Sequence, residues 1–108
     1  MSRPRASTSV YHAIADPTRR RVLKTLRQGP RTVSQLERAT GASQSALSQH
    51  LGVLRRARLV SPRRNGRHQV YRLARPTPLR EVRNWIAFFD QFWDERLLRL
   101  GHYLERSR

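Results

Sequence analysis

Two short helical patterns separated by one glycine constrain the fold of this chain more than any other feature. Thr32 and Gln35 form a capping box, which is the signature of a helix start, and Gly41 supplies the turn after that helix. Ser43 then provides a hydroxyl cap for a second helix. The apolar residues of this second helix recur at i, i+4 and i+7, on one face: Leu47, Leu51 and Leu54. Helix, short turn and helix in this order predict a helix-turn-helix unit.

A β-hairpin is predicted directly after the second helix. Asn65-Gly66 lies between two extended runs, and it is the strongest short hairpin signal because both central residues of the turn need positive φ. A two-residue turn at this place pairs Arg64 with Arg67, and Pro62 implies that the first strand has a free edge. A basic hairpin in this position is a wing. The predicted fold class is therefore mainly α with a small β-hairpin, a winged helix-turn-helix.

Further helices are predicted on both sides of this unit. Residues 1–8 lack apolar periodicity and are expected to form a disordered tail, followed by a short helix. Asp16-Pro17 marks the next helix start, with the carboxylate at the N-cap and proline at the first helical position. After a proline-containing break, a long helix is expected over about 79–105.

The long C-terminal helix carries an apolar stripe that is too broad for a helix covering one small domain. Its members are Trp85, Phe88, Phe89, Phe92, Trp93, Leu97 and Leu100. Exposed together, they would form a patch of a size that soluble monomers avoid. We therefore expect this stripe, with Tyr11 and Ile14 of the N-terminal helix, to pair with a second copy of the chain. The alternative is that the stripe packs entirely within its own chain.

Charge divides the chain into two parts. The formal net charge is +16, and residues 1–80 carry all of it, with 18 Lys and Arg against Asp16 and Glu37, while residues 81–108 sum to zero. This distribution predicts polyanion binding by the first part and protein contact by the second. The preference for Arg over Lys suits phosphate and guanine recognition, although genome base composition explains it equally well. The absence of cysteine excludes disulfides and thiolate metal sites.

The polar side of the second helix is the candidate site for reading DNA. It is expected to present short polar and basic side chains away from the core: Gln44, Ser45, Ser48, Gln49, Arg55 and Arg56. The wing adds Arg63, Arg64 and Arg67, which can reach phosphates or a minor groove. His50 falls at the boundary of the core and is expected to pack or bond within the protein. The alternative interpretation of both surfaces is an ordinary solvated face.

Metal binding and catalysis have little support in the sequence. His102 and Glu105 lie one helical turn apart and are weak candidates for half of a metal site, but a surface histidine near a helix end is the commoner finding. We predict no metal site and no cofactor. No phosphate loop, metalloprotease motif or nucleophile elbow is present, so an enzyme is not expected.

The motifs together resemble those of a known family. Asp16-Pro-Thr-Arg-Arg-Arg-Val-Leu, then Ser43-Gln-Ser-Ala-Leu-Ser-Gln-His-Leu-Gly-Val-Leu, then the Asn-Gly wing resemble the ArsR/SmtB family of bacterial winged-helix repressors over about residues 9–75. The resemblance implies a homodimer that binds an operator near a promoter, often released by an inducer. It points to Gln44, Ser45, Ser48 and Gln49 for bases and to Arg63–Arg67 for the wing.

The chain also departs from that family. It lacks the cysteine pair of the arsenic-sensing members, and only His102 and Glu105 fit the spacing of the zinc-sensing members' terminal helix. The resemblance therefore implies the fold, the dimer and DNA binding, without metal sensing.

We expect a homodimeric, sequence-specific regulator of transcription, more specifically a repressor on an inverted-repeat operator. Its partners are double-stranded DNA and a second copy; no membrane is involved, and the inducer is left open. Residues 9–75 form the DNA-binding winged helix-turn-helix and 76–108 the dimerisation helix of one domain, in a cytoplasmic, nucleoid-associated protein. A sequence-neutral architectural DNA-binding protein and a protein-binding adaptor are the alternatives.

Overall fold

The computed structural model describes residues 9–106, so the tail predicted at residues 1–8 lies outside the described part. The elements follow in the order α1 (Val10–Ile14), α2 (Pro17–Arg27), β1 (Arg31–Thr32), α3 (Val33–Thr40), α4 (Gln44–Arg56), β2 (Val60–Asn65), β3 (His68–Leu73) and α5 (Leu79–Arg106). This is a mainly helical fold with a small antiparallel sheet, as predicted. None of the helices within residues 9–106 combines enough length and apolar character to cross a bilayer.

The helices begin where the capping residues predict. The Asp16 carboxylate accepts a hydrogen bond from the Arg19 backbone N–H at 3.0 Å, and the Ser43 hydroxyl accepts one from the Ala46 N–H at 3.2 Å. Thr32 and Gln35 form the complete capping box at the start of α3, with both reciprocal bonds present. Each cap of this kind contributes about 1 kcal/mol to stability, so these residues define the ends of the helix-turn-helix pair.

The core lies between α2, α3, α4 and the sheet. The apolar stripe of α4 faces this core, as its spacing predicts, and the largest fully buried side chains are Leu36, Leu47, Leu54, Leu59 and Val22. Burial of each such leucine stabilises the fold by roughly 1.5–3 kcal/mol relative to leaving the side chain exposed to water. Burial of one side of α4 fixes the rotation of the helix about its own axis and therefore determines which side faces solvent.

The wing differs in detail from the predicted hairpin. Arg64 pairs with Gln69 and Asn65 with His68, so the predicted pairing of Arg64 with Arg67 is wrong. The turn residues are Gly66 and Arg67; Gly66 has φ +63°, and Asn65 is not in the positive-φ region. Only one residue of this turn needs a positive φ, and that residue is glycine, so asparagine does not have to adopt this conformation. The change shifts the register by two residues, which leaves the same side chains facing the core.

A third strand completes the sheet. The strand order is β1-β3-β2, so β2 is an edge strand, as Pro62 indicates. The strand β1 pairs Arg31 with Tyr71 and Thr32 with Val70. A strand of two residues is too short to show alternation, so β1 is not among the predicted elements.

The long helix α5 stands apart from the rest of the described chain. It has 28 residues, which corresponds to about 42 Å, and none of them is buried. It contacts α1 near its start, where the Tyr11 hydroxyl donates to the Glu81 carbonyl at 3.4 Å and the Tyr11 and Trp85 rings meet edge to face. Packing of the whole stripe within its own chain, the alternative left open above, is therefore wrong.

Candidate nucleic-acid interface

The polar side of α4 is open to solvent along its length. All six predicted side chains are exposed, and none is covered by another element of the described chain: Gln44, Ser45, Ser48, Gln49, Arg55 and Arg56. The opposite side of the helix buries Leu47, Leu51 and Leu54. The helix therefore presents a continuous polar and basic surface of about 20 Å, long enough to lie in the major groove of B-DNA.

Gly52 lies near the middle of this surface, and the side chain of Arg56 covers it. A Cβ placed on Gly52 would lie 3.3 Å from the Nη1 atom of Arg56, so the guanidinium of Arg56 folds back over the space that a side chain would fill. The helical wheel places both residues on the outer side, but it carries no information on side-chain conformation. The fold-back of Arg56 is therefore a feature that sequence reasoning missed.

His50 connects α4 to the start of α2, which confirms its predicted place at the boundary of the core. Arg19 donates from Nη1 to Nδ1 of His50 at 3.1 Å. The Oδ2 atom of Asp16 lies 3.8 Å from the same nitrogen, which is too long for a hydrogen bond. Because arginine can only donate, Nδ1 of His50 serves as an acceptor in this contact.

The same cluster determines the charge state of Asp16. The hydrogen bond from the Arg19 backbone lowers the pKa of Asp16 below its ordinary value of 3.8; burial opposes this, and the nearby positive charge of the Arg19 guanidinium adds to the lowering. Asp16 is therefore ionised at neutral pH.

Three consecutive arginines at the start of α2 hold the helices together. Arg19 donates from Nε to the Ala13 carbonyl at 2.7 Å, and Arg20 donates from Nη1 to the Ile14 carbonyl at 2.9 Å. Arg21 reaches the Thr40 carbonyl at the end of α3, at 3.3 Å. These guanidiniums pair with carbonyls at helix C-termini, where the helix dipole favours positive charge. Of the three, Arg19 alone also hydrogen-bonds to α4 within residues 9–106, through His50.

The wing presents three exposed guanidiniums beside α4 in the chain. Arg63 and Arg64 lie near the end of β2, and Arg67 lies in the turn. Within residues 9–106, none of the three makes an ion pair or a side-chain hydrogen bond with the protein. Their charge is therefore available to an external anion.

The apolar stripe of α5 is exposed as the single chain stands. Trp85 is 55% exposed, Phe88 67% and Trp93 57%. The rest of the predicted set is exposed as well, apart from the half-buried Ile14: Tyr11, Phe89, Phe92, Leu97 and Leu100. Neighbouring rings contact one another, with Trp85 and Phe89 centroids 4.7 Å apart. Arg96 lies within the stripe, and its guanidinium sits 5.1 Å from the centroid of the Phe92 ring.

Metal ligands do not cluster in the described part of the chain. Residues 9–106 contain no group of three or more His, Cys, Asp or Glu side chains that could hold a metal ion. His102 and Glu105 are both exposed on the last turns of α5. The expectation that they form no metal site stays a prediction.

The comparisons with known proteins all identify regulatory proteins of bacteria. The family model described as "Bacterial regulatory protein, arsR family" matches residues 16–61. The HTH-type transcriptional regulator Rv2034 of Mycobacterium tuberculosis is 41% identical, over 90% of this chain and 87% of that protein. The transcriptional repressor SdpR of Bacillus subtilis is 35% identical, over 82% of this chain and 98% of that protein.

One of the similar solved structures bears on assembly. The homodimeric winged helix-turn-helix DNA-binding domain of Mb0332 from Mycobacterium bovis matches with a TM-score of 0.60 and 34% identity. The match covers 82% of this chain and 78% of that one. It supports the winged helix-turn-helix architecture observed here.

Proposed function

Because this chain belongs to the ArsR family of bacterial regulatory proteins, we propose that it is a homodimeric transcriptional repressor that binds an inverted-repeat operator in double-stranded DNA. The observation that carries this proposal is the exposed polar side of α4 above a buried leucine stripe. A regulator of this kind works by binding, so no catalytic role is assigned to the chain. It acts at the nucleoid, in the cytoplasm.

The first turns of α4 read base edges. An amide side chain at Gln44 or Gln49 can bond adenine at two positions, and the hydroxyls of Ser45 and Ser48 can adapt to either donors or acceptors. Gly52 has no side chain, which leaves room for the Arg56 guanidinium to lie over the middle of the helix, where it can contact the DNA. These four polar residues therefore supply the specificity.

The arginines position the protein on the duplex. Arg55 and Arg56 at the end of α4 grip phosphates, and Arg63, Arg64 and Arg67 of the wing reach a flanking phosphate row or minor groove. Each phosphate contact releases counterions, so affinity falls steeply with salt. The phosphate contacts contribute equally on all sequences.

The stripe of α5 pairs two chains, with Tyr11 and Ile14 at its edge. In this proposal residues 9–75 read DNA and residues 76–108 form the dimer helix. A twofold dimer places two copies of α4 on successive major grooves, about 34–36 Å apart, which requires an inverted repeat. An operator that overlaps a promoter then excludes RNA polymerase when the dimer is bound.

A binding experiment tests the proposal against a sequence-neutral architectural protein, for which a net charge of +16 would suffice. A duplex is selected from a random library by the wild-type protein, and its affinity is compared with that of a scrambled duplex. Gln49→Ala is expected to weaken binding to the selected duplex by roughly tenfold and leave the scrambled duplex unaffected. Arg64→Ala is expected to weaken both and to reduce the salt slope by about 0.9.

Gln91→Ala, an exposed glutamine on the polar side of α5, is the matched control and should change neither affinity. Equal losses on both duplexes for Gln49→Ala and Arg64→Ala would favour the architectural alternative. Failure to select any preferred duplex would exclude sequence-specific repression.

A further inference from the structure

An open groove follows the connection between β3 and α5. Four adjoining depressions of about 490, 440, 420 and 390 Å³ share residues of the segment 73–79 as their walls, and we name them together the junction groove. Its apolar lining residues, which we call the floor, are Leu73, Ala74, Pro76, Pro78 and Leu79, and Thr77 lies among them. Depressions of this size match the 300–1,000 Å³ that small organic ligands occupy.

The rim of the junction groove is cationic. Five exposed arginines line it, from the end of α4 to the first turns of α5: Arg58, Arg72, Arg75, Arg80 and Arg83. No carboxylate lines the groove, and within residues 9–106 none of the five guanidiniums has an ion pair or hydrogen bond with the protein. Like charges this close repel one another, so an anion bound among them would relieve the repulsion.

Backbone strain at Arg58 points to the same groove. Arg58 has φ +63° at the position that follows the C-cap of α4, where its N–H bonds to the Arg55 carbonyl and the Leu59 N–H bonds to the Leu54 carbonyl. This is a Schellman motif, and glycine is the residue that its left-handed position favours. An arginine there is unfavourable for folding, and this residue lines the groove. Strain of this kind is commonly retained where a side chain has a binding role.

The groove adjoins the wing at Arg72, which also lines a neighbouring depression with Arg63 and Arg64, whereas the other four arginines line the groove and not that depression: Arg58, Arg75, Arg80 and Arg83. Ser61 and Arg72, which line it, pair with each other about 16 Å along the strands from the Gly66-Arg67 turn. Arg80 and Arg83 lie about 120–180° around α5 from the centre of the apolar stripe, so a second copy on the stripe leaves them accessible.

We propose that the junction groove binds an amphipathic organic anion, with an acyl or aryl body on the apolar floor and a carboxylate among the arginines. A DNA phosphate row would gain nothing from an apolar concave floor, which is why the observations favour a small amphiphile. The groove joins the wing to the dimer helix, so a ligand there biases their relative position and acts as an effector. This regulatory half of the proposal rests on the function proposed above.

Calorimetric titration of the DNA-free full chain with decanoate, below its micelle concentration and at constant ionic strength, tests the site. We expect saturable binding of one decanoate per chain, with the Kd raised roughly tenfold by Arg83→Gln and by Arg58→Gly. Arg58→Gly is also expected to raise the melting temperature, because glycine suits the left-handed position, so its loss of binding cannot come from misfolding. Arg27→Gln, at an exposed arginine outside the groove, is the matched control and keeps the wild-type Kd.

Two results of the titration would overturn the site. Unchanged affinity in both groove variants, or an equal loss in Arg27→Gln, would show that decanoate binds elsewhere. Inorganic phosphate that binds as tightly as decanoate would show a plain polyanion surface, as for a nucleic-acid backbone, and no site for an amphiphile.

The regulatory half is tested separately with the selected duplex. Decanoate at about three times its wild-type Kd is expected to change the duplex affinity of the wild-type protein severalfold and that of Arg58→Gly much less, because the tenfold weaker site is then only about one quarter occupied. The same affinity with and without decanoate would overturn the effector role. A chain that binds decanoate but prefers no duplex would contradict the proposed function and leave the binding site supported.

Discussion

Substitution of Gly52 by alanine separates folding from DNA binding at one position. Glycine inside a helix costs about 0.8–1.0 kcal/mol relative to alanine. The added Cβ would lie 3.3 Å from Nη1 of Arg56, which is close, but the neighbour is the far end of a flexible side chain and can move by a few tenths of an ångström. The expected net change is therefore stabilisation by roughly 0.5–1 kcal/mol. For a domain of this size that is a rise in Tm of about 2–8 °C.

DNA binding is expected to change in the opposite direction. The new methyl group stands on the outer side of α4 and displaces the guanidinium of Arg56 from its place over residue 52. Losing the oriented phosphate contact of Arg56 corresponds to about 1–2 kcal/mol, so affinity for the selected duplex should fall by roughly tenfold. Fluorescence anisotropy with labelled duplex gives this affinity, and thermal unfolding gives the stability.

Gly101→Ala is the matched control. It adds the same group to α5, where nothing lies within 4 Å of the new atom, and should leave duplex affinity unchanged. A Gly52→Ala protein that is more stable and binds the selected duplex as tightly as the wild type would refute the assignment of this side of α4 to DNA.

Two further predictions concern the dimer and the helix cap. Trp93→Glu places a charge inside the α5 stripe and should convert the dimer to monomers, as measured by light scattering. Ala87→Glu, on the opposite side of the helix, is the control and should remain a dimer. A dimeric Trp93→Glu protein would contradict pairing through the stripe. Asp16→Ala should lower the free energy of unfolding by about 1 kcal/mol at neutral pH. Because the pKa of Asp16 is lowered in the folded state, this contribution is present above the unfolded value and is lost as pH falls through the folded one. Urea unfolding of the wild type and of Asp16→Ala, from about pH 7 to about pH 3, should therefore show that the difference between their free energies of unfolding shrinks as the pH falls. A difference that stays constant would contradict the role of the carboxylate.

Much of the fold could be predicted because the chain marks its helix ends with capping residues. Asp16, Thr32 and Ser43 each satisfy a backbone N–H that has no partner within the helix, so one side chain identifies each start. The period of the leucines then fixes which side of α4 is buried. The prediction of which α4 residues are exposed rested on that rotation alone.

Other features depend on contacts that sequence periodicity does not encode. The strand β1 forms because Arg31 and Thr32 meet β3 from far along the chain. The hairpin turn lies one residue later than predicted because a positive φ at Gly66 alone is sufficient for it. The fold-back of Arg56 and the junction groove depend on side-chain conformation and on the path of the connection to α5, which no local pattern reports.

Methylation protection of the selected duplex tests most directly whether α4 enters the major groove. Dimethyl sulfate modifies guanine N7 in the major groove and adenine N3 in the minor groove. Bound dimer is expected to protect guanine N7 in two clusters about one helical turn apart, with Gln49→Ala altering the pattern inside each cluster. Protection confined to adenine N3, or an N7 pattern that Gln49→Ala leaves unchanged, would contradict recognition through this helix.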